Sequence, residues 1–232
     1  MKATIHQPEF LSYLGFFDKI QQVDTLLLLD GVDFRKNYFQ NRNRIMGQQE
    51  PMWLSVPVEK HNHKPLREVR IADGWKRQRE KYLKTIQQVY GKAPFYNSIS
   101  SELEYIFLED HELLVELNVH LMLWVMKELD LMDLRVKLTS LSDIDSKKDD
   151  LIADLCKHYK VTEYLAGVSG KDYLDEAKFN GIKLSHHEYE LKPYQQFHSE
   201  EFVPYLSVLD ALFCDKSAVK KQFQRSSDRG RT

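Results

Sequence analysis

A chain of 232 residues is long enough to bury a core without disulfide or metal staples. Its 42% hydrophobic and 29% charged residues exclude disorder over most of the length. With Lys+Arg at 33 against Asp+Glu at 35, the net charge of -2 excludes a generic pull toward nucleic acid, so any anion site must be local. Two thiols, Cys156 and Cys214, make no disulfide framework and have no partner at metal-ligand spacing. The N-terminal stretch has no uninterrupted apolar run of the signal-peptide kind. The apolar stretch 113–126 is broken by Glu116, Asn118 and His120, which makes it too short and too polar to span a bilayer. A cytoplasmic protein is expected.

Residues 2–5, with β-branched Thr4 and Ile5, predict a first strand that ends at His6 and is stopped by Pro8. Phe10, Leu11, Leu14, Phe17 and Ile20 crowd one helical face and predict a helix over 10–20. Leu26 to Leu29 is a continuous apolar run closed by Asp30-Gly31, as in a strand buried on both faces of a parallel sheet. Strand, helix and strand in 30 residues form a tight βαβ unit. Short strand-like pieces follow around Phe34, 52–58 and 69–71, then a helix over 75–90 closed by Gly91 and Pro94. One or two amphipathic helices are expected over 99–129.

The alternation then resumes. A strand is predicted over 134–138, a helix over 149–159, a strand over 162–165, a turn at Gly167-Val168-Ser169-Gly170, a helix from Lys171 to about Phe179 and a strand over 182–186. A final helix over 204–213 has Pro204 in its first turn. The tail 216–232 is rich in Lys, Arg and Ser and is expected to be frayed. The fold expected is α/β: one domain over 1–215 with a mostly parallel sheet, helices on both faces, and a small antiparallel and helical insertion at about 31–130. In such sheets ligands bind at the carboxyl ends of strands. That rule picks out residues 6–15 and 167–173.

Several blocks at and around these places look familiar. They are Ile5-His6-Gln7-Pro8 with Tyr13-Leu14-Gly15-Phe16-Phe17-Asp18-Lys19-Ile20, then Asp30-Gly31-Val32-Asp33-Phe34 with Phe39-Gln40-Asn41-Arg42-Asn43-Arg44-Ile45. Trp53 to Val58, Tyr164-Leu165-Ala166-Gly167 with Tyr173-Leu174, and Phe202 to Asp210 follow in order. Together they resemble the WbqC-like family over roughly residues 4–215. Ser12 departs from the common Pro, and Phe213-Cys214-Asp215 from an Asn-Gly-like ending. The resemblance implies a link to O-antigen and related surface-polysaccharide biosynthesis. It also marks Pro8, Gly15 and Tyr173 as binding residues.

From the residues themselves, His6 is either a strand-end cap or an acid/base near neutral pH, and Gln7 can hold substrate by its amide. These two are the catalytic candidates. Arg42 and Arg44 can clamp a phosphate or carboxylate, or pair with surface acids; Asn41 can bond a sugar hydroxyl or backbone. Gly167, Ser169, Gly170 and Lys171 form either an anion-holding turn or an ordinary capped one, and lack Walker spacing. Lys19 faces either the pocket or solvent. Asp30, with Asp33, can hold Mg²⁺ beside a phosphate. No resident metal site is predicted: His61 and His63 have no third ligand nearby, and His186 and His187 point to opposite faces of a strand. Two functions are consistent with this set. One is a transferase acting on a nucleotide-sugar or an activated small acid. The other is a non-catalytic accessory protein that binds a nucleotide-sugar or a glycosyltransferase partner.

Overall fold

The computed structural model describes residues 1–60, 63–142, 144, 146, 148–168, 170, 174–197 and 200–227. Strand β1 (Lys2–His6) leads through a turn that buries Pro8, Phe10, Leu11 and Ser12 to helix α1 (Leu14–Ile20), and strand β2 (Thr25–Leu28) returns parallel to β1. The chain then leaves the sheet. A hairpin, β3 (Arg42–Met46) and β4 (Pro51–Ser55), precedes three helices: α2 (Gly74–Tyr90), α3 (Tyr96–Leu108) and α4 (Leu114–Glu128). It rejoins the sheet at β5 (Arg135–Leu138), crosses over through α5 (Lys148–His158) to β6 (Glu163–Ala166), and continues to β7 (Lys183–His186) and the last helix, α6 (Val208–Ser227).

The five sheet strands run parallel in the order β5-β2-β1-β6-β7. Numbered by their order in the sheet's own chain path, this is 3-2-1-4-5, a doubly wound arrangement. Its path reverses between β1 and β6, the place where such sheets open a crevice at their carboxyl ends. Alternate side chains of each strand serve two cores. Leu26 and Leu28 pack with Phe10, Phe17 and Ile20 under α1 and the helical insertion. Ala3, Ile5, Leu27 and Leu29 pack with Ile152, Leu155 and Cys156 of α5 on the opposite face. The backbone ladder between β1 and β6 is short, and Thr4 Oγ1 strengthens it by donating to the Leu165 carbonyl at 2.7 Å. Among the described residues no helix is long and apolar enough to cross a membrane.

The α/β class, the parallel sheet and the antiparallel and helical insertion are therefore as the sequence predicts. Four elements differ. Strand β3 replaces an expected polar loop: Asn43 and Ile45 turn inward, and the buried Asn43 amide donates to the Leu11 carbonyl at 2.8 Å. Helix α1 starts at Leu14 rather than Phe10, because Leu11 has a left-handed φ of 49° and Tyr13 is extended. In place of a helix reaching Phe179, the described part of that segment holds a 3₁₀ turn at Glu176–Phe179, capped by Asp175. The last helix starts at Val208, since Tyr205 has φ 58° and Ser207 bridges to Tyr13. It then runs past the expected end, through a kink at Asp215, to Ser227. Asp215 Oδ1 accepts from the Ala218 amide and restarts the helix, and Val219 and Phe223 bury their side chains in the core.

Candidate functional site at the carboxyl ends of β1 and β6

β1 ends in His6, and the β1–β6 register (Ala3 opposite Tyr164) places it level with Gly167, the residue after β6. Lys19, in the last turn of α1, reaches the same edge. Its ammonium donates to His6 Nδ1 at 2.9 Å and would lie 3.9 Å from a Cβ on Gly167. A glycine there keeps the space above the lysine open. Because Lys19 has only donors, His6 Nδ1 is the acceptor and the ring proton sits on Nε2. That nitrogen points toward Glu9 Oε1 at 3.4 Å, an ion-pair distance without hydrogen-bond geometry, so Nε2 has no hydrogen-bond partner among the described residues. The imidazole rests against Phe16, with ring centroids 4.8 Å apart.

Burial sets the electrostatics. Lys19 is 4% exposed, and its desolvation depresses its pKa from 10.5 to about 8 against a small opposing pull from Glu9. Desolvation and then the Lys19 charge lower His6 below 6.5, with Glu9 opposing. For Glu9 burial acts upward, but His6 and Lys19 outweigh it and hold the carboxyl below its ordinary value. At neutral pH the cluster is thus a neutral imidazole between an ammonium and a carboxylate, at the carboxyl ends of β1 and β6. Glu9, three residues past His6, was not among the sequence candidates. Its spacing on the strand-end loop was the available signal.

A second pair lies on the other side of α1. His187 Nε2 is 2.7 Å from Asp18 Oδ2, which Gln22 also bonds, while Gln21 bonds Oδ1. His187 stacks with Tyr189, and Tyr13 meets both Tyr189 and the exposed Tyr205. Gly15 lies under Tyr13: a Cβ there would come 2.4 Å from the phenol ring. The pairing of His187 with Asp18 was invisible in the sequence, where 169 residues separate them.

The remaining candidates spread outward. Gln7 Oε1 accepts from the fully buried Gln40 at 2.7 Å, and Pro8 lends its carbonyl to Asn118 of α4, whose amide also bonds the Gln40 carbonyl at 2.8 Å. Asn118 thus ties the His6 loop to the hairpin. Asn118→Ala, which leaves both carbonyls without that donor, is expected to cost about 1–3 kcal/mol in a urea unfolding experiment. Asn41 donates to Val56 on the wall of a groove of about 570 Å³ whose lining includes Lys36, Lys60 and Tyr82 but not His6. Arg42 lies over the half-exposed Trp53 ring at 4.2 Å and Arg44 at 5.8 Å, with Phe39 beside them. Asp30 is 2% exposed, and Thr139 Oγ1, Ser140 N and Ser140 Oγ fill its carboxylate. It anchors β5 to β2 and has little left to offer a Mg²⁺ ion. The Gly170 amide donates to the Gly167 carbonyl, and a Cβ on Gly170 would press on Ala166 at 2.8 Å. Ser169, Lys171 and Tyr173 lie outside the described residues. Both thiols are buried and pushed up to about 12, Cys156 by desolvation and Cys214 by desolvation with Asp210, so neither is a ready nucleophile.

No solved structure gives a significant match. The chain is 30% identical over 220 residues, 91% of its own length and 93% of the relative's, to an uncharacterized protein of Mycobacterium tuberculosis, Rv1507c. The model of the WbqC-like protein family matches residues 7–221, which takes in α1, the hairpin, the helical insertion and every sheet strand after β1. The chain belongs to the WbqC-like protein family.

Proposed function

We propose that this protein is a transferase of bacterial surface-polysaccharide (O-antigen type) biosynthesis that takes a phosphate-bearing ligand, a nucleotide-sugar or an activated small acid, at the carboxyl ends of β1 and β6. The observation that carries the reading is the buried Lys19 ammonium on His6 Nδ1 at the point where the sheet reverses. A cation held in low dielectric, with no directly bonded carboxylate among the described residues, is poised for an anionic ligand. The polysaccharide setting rests on the family alone.

The chemistry follows from the tautomer. An anion that draws the Lys19 ammonium to itself releases the His6 Nδ1 lone pair. His6 then accepts the proton of an attacking hydroxyl or amine at Nδ1, while its Nε2–H faces Glu9, which stabilises the imidazolium that forms. Gly167 leaves room for the ligand, and Arg42 and Arg44 on Trp53 offer a flat cationic face for a sugar or a second phosphate. Positioning and charge, without a covalent nucleophile, supply the rate.

The test is thermal unfolding against nucleotides, nucleotide-sugars and acyl phosphates. A ligand at a hundred times its Kd is expected to stabilise by about 2.7 kcal/mol, a rise of roughly 5–10 °C in Tm. His6→Asn should keep that rise and lose turnover by about 10²–10⁴. Lys19→Met should lose the rise itself. A panel without any shift at millimolar ligand overturns the reading. The exposed Tyr38, Phe39 and Trp53 beside Arg42 favour the accessory alternative, a docking face for a glycosyltransferase. A ligand shift with no turnover of that ligand by the unsubstituted protein would decide for it.

A further inference from the structure

The corner between α3 and α4 gathers three side chains that the strand-end site does not use. Glu109 follows the last turn of α3, His111 lies in the connection, and His120 stands in the second turn of α4. Glu109 Oε2 is 3.4 Å from His111 Nε2 and 3.0 Å from His120 Nδ1, and the two ring nitrogens are 3.2 Å apart. The three atoms form a nearly equilateral triangle. Four tetrahedral N and O ligands at about 2.0–2.1 Å from a zinc ion are separated from one another by roughly 3.3–3.4 Å. The triangle is one face of that tetrahedron to within a few tenths of an ångström.

Hydrogen bonding alone does not satisfy the cluster. Only one proton fits between the two facing ring nitrogens, and among the described residues Glu109 Oε2 is buried without a hydrogen-bond partner. A divalent cation takes a lone pair from each of the three atoms at once. The surroundings hold the donors in place. Arg79, 8% exposed, donates to the Glu109 carbonyl at 2.9 Å and to Asp110 at 3.1 Å. Glu116 accepts from the amides of Glu112 and Leu113 and fixes the start of α4. The His111 side chain is 7% exposed, whereas those of Glu109 and His120 are about two-fifths exposed, so one flank of the triangle is anchored and the other opens to solvent.

We infer that Glu109 Oε2, His111 Nε2 and His120 Nδ1 form a site for a divalent first-row transition metal of the zinc type, with three protein ligands and a fourth position open to water. Two imidazoles and one carboxylate select such a metal over Mg²⁺ or Ca²⁺, which take oxygen sets. The metal would also pin α4, two residues from Asn118, the side chain that holds the His6 loop.

Chelator-treated protein titrated with Zn²⁺ in a calorimeter, and with Co²⁺ in a spectrophotometer, tests the inference. One equivalent is expected, with the intense visible bands of four-coordinate Co²⁺ and a higher Tm on loading, and without a response to Mg²⁺. Glu109→Gln and His120→Gln, at half-exposed positions that spare the core, should each weaken binding by more than roughly tenfold and lose the Co²⁺ bands, while the doubly substituted His61→Gln/His63→Gln protein keeps both. Absence of Zn²⁺ binding in the unsubstituted protein, or full binding retained by His120→Gln, overturns the site and leaves a hydrogen-bonded histidine pair.

Discussion

Asp210→Ala is expected to remove about 3–5 kcal/mol of stability, the cost of leaving several buried donors without the acceptor they share. Asp210 is 1% exposed in the first turn of α6. Its Oδ1 accepts the Tyr90 hydroxyl at 2.8 Å, and its Oδ2 accepts the Tyr194 hydroxyl at 2.7 Å and the Gln196 amide at 2.9 Å. Tyr90 in turn accepts the Met46 amide at 2.9 Å. One carboxylate therefore joins α2, β3, the segment after β7 and α6. Desolvation, and then Asp210, keep the pKa of both phenols high, so they stay neutral donors through the ordinary pH range. Alanine leaves the two hydroxyls facing a void without that acceptor, while the Gln196 amide keeps the Val203 carbonyl at 2.9 Å. The Tm should fall by roughly 6–20 °C at this chain length. Asp210→Asn, which keeps the volume and one acceptor oxygen, should lose less. A fall of under about 1 kcal/mol for the alanine variant in a denaturant titration would show that the network contributes no such energy.

Lys19→Met is expected to do the reverse and stabilise the protein at pH 7. The folded pKa of Lys19 is about 8 against an ordinary 10.5, so between these values the unfolded chain binds the extra proton. Stability conferred through this group therefore rises with pH from about 8 to 10.5, and below that window the buried charge exerts its full cost. The shift corresponds to about 3 kcal/mol, and loss of the hydrogen bond to His6 Nδ1 in the variant makes the net gain smaller than that. Urea unfolding of both proteins at pH 7, 9 and 10.5 isolates the effect, because other titrating groups cancel in the difference. The variant should start more stable, and the gap should close as the pH rises. A variant that is less stable at pH 7, with a gap independent of pH, would show that the ammonium is well solvated or well paired in the native state. Such a cost retained in a fold is what a site that keeps a charge ready for a ligand is expected to show.

The sequence by itself determined the layers. Leu26 to Leu29 is apolar at every position because both faces of β2 are covered, and shorter apolar pieces between turn residues place the other four strands within a residue or two, although β5 and β7 are only partly buried. The period of α2 and its closing Gly91 were legible for the same local reason. It also put His6 at a strand end, since a strand stopped by proline shows where it stops. Strand β3 was hidden because its inward Asn43 is satisfied by Leu11, a contact across the fold that removes the alternation a strand normally shows. The length of α6 was hidden because Val219 and Phe223 are apolar points in a basic tail, and only their neighbours make them core. The site shows the division most clearly. Whether Lys19 faces water or His6 depends on the crossover that lays α1 under the sheet edge, and the Asp18–His187 pair depends on β7 arriving beside β6. Periodicity encodes which face of an element is buried. What that face meets is set by the order and direction of the strands, and so the chemistry of His6, Glu9 and Lys19 was decided by the tertiary structure alone.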